Sequence, residues 1–382
     1  MVSLKTIRFN YRFCVVILFV SAISSLRSLV IPLVADEITY SNISENILKG
    51  QYYLNGNPST IAPTIPFLFA LFKFTFFPKM AIIFHKLFNL GLVILGFRYL
   101  YMFLLKLNLS RNIIWIILAL TAVNPTSVAW FSTLYPEGLI FFCFWGFIFY
   151  ASKKPKSISL IKLLFFFTLL VLTRYVYAIL GLVLLITYYE YLKFNFNKYK
   201  LEIVKYSVVF LIPILLWGKY ILNVENEGDS GISYFKRFKV ENPILYNVKC
   251  GLGIEKHYEV NKINGLPAFV SLFIPKTGIR NYLISVLLII AFAFGLLNKI
   301  KLKNIKKIVL SILLIMLGFI FAGTGFSRYW LVLLPGFILG YYYFFKSLRI
   351  NDKWFIYLSQ IISVIYVINE IRLDLIIINR YI

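Results

Sequence analysis

Apolar residues along the 382-residue chain gather into long runs separated by short basic segments. A run of about 18 or more such residues can cross a bilayer as a helix. The pattern predicts spans near 13–34, 81–105, 113–130, 135–151, 160–173, 176–191, 205–222, 281–298, 308–325, 329–346 and 354–370, eleven in all. The stretch 160–191 is divided at Thr173-Arg174, because one helix would be too long and would carry Arg174 at its centre. Residues 61–77 are rich in Phe but interrupted by Pro63, Pro66 and Lys73, with Pro78 just after, so they read as an interfacial segment. Asn124-Pro125 and Pro213 predict helix kinks.

Composition narrows the class. Sixty per cent of the residues are hydrophobic and only 14% charged, against about a quarter in a soluble domain. This excludes a cytosolic enzyme, a disordered chain and a disulfide-stapled secreted domain. The expected fold is all-α and polytopic, a single transmembrane domain over 1–382 with two large outer segments at 35–80 and 223–280. The net charge of +25 would suggest nucleic acid in a soluble protein, yet the basic residues recur between apolar runs instead of forming one patch. Positive-inside topology accounts for them and implies no nucleic-acid partner.

With Lys5, Arg8 and Arg12 cytoplasmic, the alternate loops carry just over half of the forty basic residues. Of the fifteen acidic residues, only Glu190, Glu202 and Asp352 fall on that side. The expected localisation is therefore the cell membrane, multi-pass, with the N-terminus cytoplasmic. Residues 1–35 read as a retained first helix, since the apolar stretch exceeds a signal h-region and no small-x-small site precedes Asp36. Cys14, Cys143 and Cys250 are scattered, and the histidines number two, His85 and His257. No zinc spacing or disulfide framework follows from these positions.

Candidate chemistry begins directly after the first span. Asp36-Glu37 places two carboxylates at the outer membrane boundary, where low dielectric disfavours charge and can suit a carboxylate to act as a general base. Acidic residues also simply mark a non-cytoplasmic helix end. Apolar or aromatic residues at Tyr40, Ile43, Ile47 and Leu48 have helical spacing, and Gly50 can end that helix. A proline-punctuated loop with Asn57-Pro58 and Pro63-Thr64-Ile65-Pro66 follows.

An acidic pair after the first helix, a Tyr, a short helix ending in Gly and a Pro-rich stretch together resemble the first outer loop of GT-C glycosyltransferases. The likeness is to the branch containing protein O-mannosyltransferases and the lipid A aminoarabinose transferase. Leu134-Tyr135-Pro136-Glu137, Leu172-Thr173-Arg174 and Ser327-Arg328-Tyr329 with Leu334-Pro335 resemble further family segments, so the likeness extends over about 13–346. It implies a GT-C-type bundle that moves a hexosyl or pentosyl group from a polyprenyl-phosphate donor to a lipid-linked glycan, a lipopolysaccharide or a similar envelope acceptor. Such transfer would take place on the outer face of the inner or plasma membrane.

The resemblance makes Asp36 the base, with Glu37 as its electrostatic or hydrogen-bonding partner. Arg328, Arg174, Glu137, Tyr40, Tyr329 and Lys86 become substrate contacts. No MIR-type or Trp-Trp-Asp segment is found, which leaves the acceptor unassigned.

The residue chemistry fits independently. Sugar transfer from a lipid phosphate needs a base for the acceptor hydroxyl and cations for the departing phosphate, which a guanidinium can grip bidentately. Direct displacement inverts the anomeric centre. No metal is required, although a divalent ion among Asp36, Glu37 and Glu137 is compatible with the residue types.

Several positions keep two readings. Arg174 and Arg328 can bind phosphate or snorkel to the interface. Glu137 can serve the site or the dipole of the helix that it opens. Arg27 can face the bundle interior or snorkel outward, and His85-Lys86 can meet donor phosphate or lipid headgroups. Residues 223–280, with the turn Gly228-Asp229-Ser230-Gly231 and the charges Lys236, Arg237, Lys239 and Glu259, can bind acceptor or form a solvated surface.

Two other classes share this outline. An envelope glycan polymerase or ligase would lean on later arginines and spare Asp36. A lipid or solute transporter would place charge at the midplane of broken helices, and no inverted repeat is visible.

Overall fold

The computed structural model describes residues 11–227, 242–257, 261–275, 278–323 and 327–381. Sixteen α-helices run through them. In order these are α1 (Tyr11–Ser25), α2 (Asp36–Ile47), α3 (Thr64–Thr75), α4 (Pro78–Leu105), α5 (Arg111–Val123), α6 (Pro125–Trp130), α7 (Glu137–Ala151) and α8 (Ser157–Thr173). There follow α9 (Gly181–Phe194), α10 (Phe196–Glu227), α11 (Pro243–Leu252), α12 (Tyr282–Leu297), α13 (Lys303–Phe321), α14 (Ser327–Trp330), α15 (Leu334–Ser347) and α16 (Asp352–Tyr381). Among the described residues, five helical stretches are long and apolar enough to cross a membrane: Tyr11–Leu29, Pro78–Leu105, Tyr175–Phe194, Phe196–Asn226 and Lys303–Phe321.

Local chemistry explains the breaks. Pro78 and Pro125 each stand in a first helical turn, where the missing N–H has no partner to lose. Asn124 follows α5, and its side chain caps α6 by accepting from Thr126 N at 2.9 Å, so the Asn-Pro step divides the predicted 113–130 span in two. Arg174 is extended between α8 and the 3-10 turn Tyr175–Leu180, so the predicted division of 160–191 is present. Pro213, by contrast, lies inside α10, whose helix is continuous.

Among the described residues, two short hairpins interrupt the helices. Tyr53–Leu54 pairs with Asn57–Pro58 across Asn55-Gly56, both at positive φ, a primed two-residue turn. Lys256–His257 pairs with Lys262–Ile263. The region 223–280 is not solvated throughout. Its 3-10 segment Leu266–Leu272 buries Phe269 against Phe292, Trp330 and Phe337. Gly228-Asp229-Ser230-Gly231, Lys236, Arg237, Lys239 and Glu259 lie outside the described residues, as do Lys5 and Arg8.

The core is aromatic and centres on α7, which packs between α4 and α8. Close contacts use small residues. A Cβ on Gly295 of α12 would lie 2.0 Å from the Gly340 carbonyl oxygen of α15, so only glycine permits that approach. Because α7 and α8 are antiparallel neighbours, their ends define two poles. Glu137, Arg174 and the N-terminal part of α4 lie at one; Ala151, Lys106 and Lys307 lie at the other. A 15-residue helix separates the poles by about 20 Å.

Candidate active site

The Asp36 pole is assembled from four distant segments. Ala35, at φ 47, turns the chain sharply into α2, an unusual conformation for a residue with a Cβ. This turn starts α2 with Asp36 and Glu37 in its first turn, where the helix dipole favours carboxylates. Successive helix residues point about 100° apart, so the two acids face different surroundings.

Glu37 is turned inward. One carboxylate oxygen accepts from Val34 N at 3.1 Å and the other from Leu134 N at 2.9 Å. It is therefore a positioning residue that ties the loop before α2 to the loop before α7, not the hydrogen-bonding partner expected for Asp36. Neighbouring bonds complete the tie. Ser28 Oγ donates to Ser132 O at 2.7 Å, and Tyr135 OH donates to Val34 O at 3.2 Å. Asn89 Nδ2 donates to Thr133 O at 2.6 Å.

Asp36 faces the other way, with 48% of its side chain exposed. Its Oδ2 accepts from Arg328 Nη2 at 2.8 Å. The same guanidinium reaches Tyr329 OH at 3.3 Å, and its Nε lies 3.9 Å from Glu137 Oε1. Glu137 Oε1 also accepts from Arg174 Nη2 at 2.9 Å. Asp36, Arg328, Glu137 and Arg174 thus form one row of alternating charge.

That row runs from an open carboxylate to a buried one, since Glu137 is only 3% exposed. Glu137 stands in the first turn of α7 and also joins the row.

Aromatic faces line the row. Arg174 sits 4.3 Å over Tyr329, whose ring stacks on Phe319. Arg328 sits 4.5 Å over Tyr135 and 5.1 Å over Trp130. Tyr40 meets Tyr135 edge to face. Burial disfavours charge on both arginines, but Glu137 and Tyr329 beside them more than offset it, so both hold their protons more tightly than ordinary arginine. Burial pushes the Tyr40 phenol up, and the nearby Asp36 charge adds to this, so Tyr40 stays a neutral hydrogen-bonding group.

Of the predicted contacts, Asp36, Glu137, Arg174, Tyr40, Arg328 and Tyr329 come together. Lys86 does not join the row. It is buried, and its ammonium donates to Ser28 O at 2.6 Å and Ile31 O at 3.1 Å, fastening the segment between α1 and α2. His85 is wholly buried between Phe69 and Phe72. Neither side chain meets lipid headgroups, because this stretch of α4 is covered by the loops it anchors.

The three candidate carboxylates for a divalent ion are not gathered: Arg328 stands between Asp36 and Glu137, and Glu37 is held by backbone N–H groups. Among the described residues, no group of three His, Cys, Asp or Glu side chains is placed to hold a metal.

Sequence reasoning missed Trp130 and Tyr135 as walls of the site, although Tyr135 belongs to the segment that yields Glu137. It also missed the partners of Arg27. That guanidinium faces the protein interior, 2.6 Å from Glu370 and 3.0 Å from Asp374, while Ser24 Oγ donates to Asp374. The signal was present as two acids at i and i+4 on α16, one helix face. These pairs draw α16 on to Tyr381, beyond the span expected to end at 370.

A cavity of about 280 Å³ lies between Arg27, Lys86, Leu373 and the rings of Trp130 and Tyr135, behind the wall that carries Arg328. Compared with known proteins, the chain matches no protein family, no curated protein and no solved structure.

Proposed function

We propose that the chain is an integral membrane glycosyltransferase of GT-C type. It takes a sugar from a polyprenyl-phosphate donor and transfers it to a hydroxyl of a cell-envelope acceptor such as a lipid-linked glycan or lipopolysaccharide. The observation that carries this reading is the row Asp36–Arg328–Glu137–Arg174, in which an exposed carboxylate stands next to two caged guanidiniums. In the same reading the bundle crosses the membrane about eleven times. The N-terminus and the lysine-rich pole face the cytoplasm, and the Asp36 pole faces outward.

The arrangement suits one displacement. A donor phosphate seated against Arg328 and Arg174 takes over hydrogen bonds now made to the carboxylates, as guanidiniums favour phosphate oxygens. That exchange releases Asp36 to accept the acceptor hydroxyl's proton. The acceptor oxygen forms its bond to the anomeric carbon as the bond from that carbon to the phosphate oxygen breaks. The electron pair leaves on polyprenyl phosphate, whose charge the guanidiniums stabilise. Attack opposite the leaving group inverts the anomeric centre. Glu137 keeps both arginines in place, and Glu37 and Lys86 hold the loop that presents Asp36.

The test compares wild type with Asp36→Asn in nanodiscs, using radiolabelled polyprenyl-phosphate sugars and an envelope-lipid extract. Transfer falls by about 10²-fold or more when a general base is removed, while donor binding persists. Transfer that survives Asp36→Asn, but is lost in Arg328→Gln, favours a glycan polymerase or ligase instead. Two arginines from later segments, Arg174 and Arg328, meet at this pole, which is the observation behind that second reading.

A further inference from the structure

The pole opposite Asp36 holds a second constellation that the proposed transfer does not use. Three lysines from three elements converge on the buried rings of Phe149 and Tyr150 at the end of α7. Lys106, which caps α4, lies 4.7 Å over Phe149. Lys153, in the turn after α7, lies 4.5 Å over Phe149 and 4.9 Å over Tyr150. Lys162 of α8 lies 5.4 Å over Tyr150. Lys106 and Lys153 lie over the same ring, so their ammonium groups sit within the Debye length of about 10 Å of each other.

Charge balance is missing there. Among the described residues, no carboxylate is within ion-pair distance of Lys106, Lys153 or Lys162. The nearby Glu190 is occupied by Lys307 at 2.6 Å and Lys303 at 3.1 Å. Glu202 accepts from Ser157 at 2.6 Å. Lys106 finds only the Ser152 hydroxyl, at 3.1 Å. Ring quadrupoles hold ammonium groups in place without neutralising them. Lysines that merely decorate a membrane surface spread apart into water; these are drawn together against two rings that are themselves buried.

We propose that Lys106, Lys153 and Lys162 form a binding site for a phosphate group carried by an anionic phospholipid or by a small soluble phosphate. Three compact ammonium groups match an anion of more than one charge. Exposed Leu105, Ile158 and Phe165 flank the lysines, so a lipid's acyl chains have an apolar surface beside the phosphate. Burial, together with Lys153 and Lys307, pushes the Lys106 amine down to about 8, the strain an incoming anion relieves. The site stands whether or not the Asp36 pole transfers sugar.

Lysine footprinting on the intact protein tests it. Acylation rates of Lys106, Lys153 and Lys162 are followed by mass spectrometry in phosphatidylcholine nanodiscs, in the same nanodiscs with pyrophosphate, and in nanodiscs containing phosphatidic acid. Exposed Lys193 and Lys200 serve as comparators. A ligand at ten times its Kd leaves about a tenth of the site open, so the three lysines slow about tenfold while the comparators do not.

Slowing by phosphatidic acid alone assigns the site to a lipid headgroup, and slowing by pyrophosphate assigns it to a soluble phosphate. Lys153→Gln should abolish protection of Lys106 and Lys162, with the buried cysteines still protected as evidence of folding. No slowing in either arm, or equal slowing at Lys193 and Lys200, overturns the proposal.

Discussion

Replacing Glu137 by Gln tests whether the site is held by its buried carboxylate. The substitution keeps the side chain's volume and one hydrogen-bond acceptor but removes the charge between Arg174 and Arg328. Those guanidiniums are 19% and 13% exposed, so both would then depend on Asp36, which touches only Arg328. Removing one partner of a buried pair costs about 3–5 kcal/mol.

Two contributions survive here. The Gln oxygen still accepts from Arg174, worth about 1 kcal/mol, and the Tyr329 face still holds Arg174, worth up to about 1 kcal/mol. The expected loss is therefore about 1–3 kcal/mol, or roughly 2–6 °C in Tm at about 2 °C per kcal/mol for a large domain.

Unfolding can be followed with a thiol-reactive fluorophore, because Cys14, Cys143 and Cys250 are all free and buried. Glu45→Gln supplies the control: its pair with Lys73 at 2.7 Å involves a carboxylate 60% exposed, worth less than about 1 kcal/mol. Adding Arg328→Gln to Glu137→Gln removes one excess cation, so the double variant should recover part of the loss. Equal melting of Glu137→Gln and Glu45→Gln, or strict additivity in the double variant, would refute the reasoning.

Two further outcomes follow from the same contacts. Glu37→Gln leaves one of the Val34 and Leu134 N–H groups facing an amide NH₂, which costs about 1–3 kcal/mol. The same thiol assay should show its Tm lowered by several degrees, while a wild-type Tm would deny Glu37 its positioning role. At the opposite pole, burial lowers the Lys106 amine from the ordinary 10.5 to about 8, so its protonated form costs the folded state. That cost is fully present below pH 8 and disappears as pH rises toward 10.5. In phosphate-free neutral nanodiscs, Lys106 acylation should reach half its maximum near pH 8, and a midpoint above pH 10 would remove the crowding argument.

Much of the architecture was legible along the chain because local signals act locally. Apolar runs, first-turn prolines and Asn124 determined where helices start and stop, and the Arg174 break followed from the cost of a charge in an apolar helix. The Asn55-Gly56 hairpin was equally legible as a turn dipeptide, though it was overlooked. The sequence also determined which chemistries were available: acids after the first helix, arginines at later helix ends.

It did not determine which neighbours those groups would have. Asp36 and Glu37 are adjacent and chemically alike, yet one is open and the other is bound by two backbone N–H groups, because packing chose which helix face turned inward. Asp36 meets a residue 292 positions away, and Arg27 meets one 347 away. Helix periodicity carries no information about such partners. They are set when side chains from remote segments are desolvated together, and a buried charge must then find its counter-charge wherever the bundle provides one.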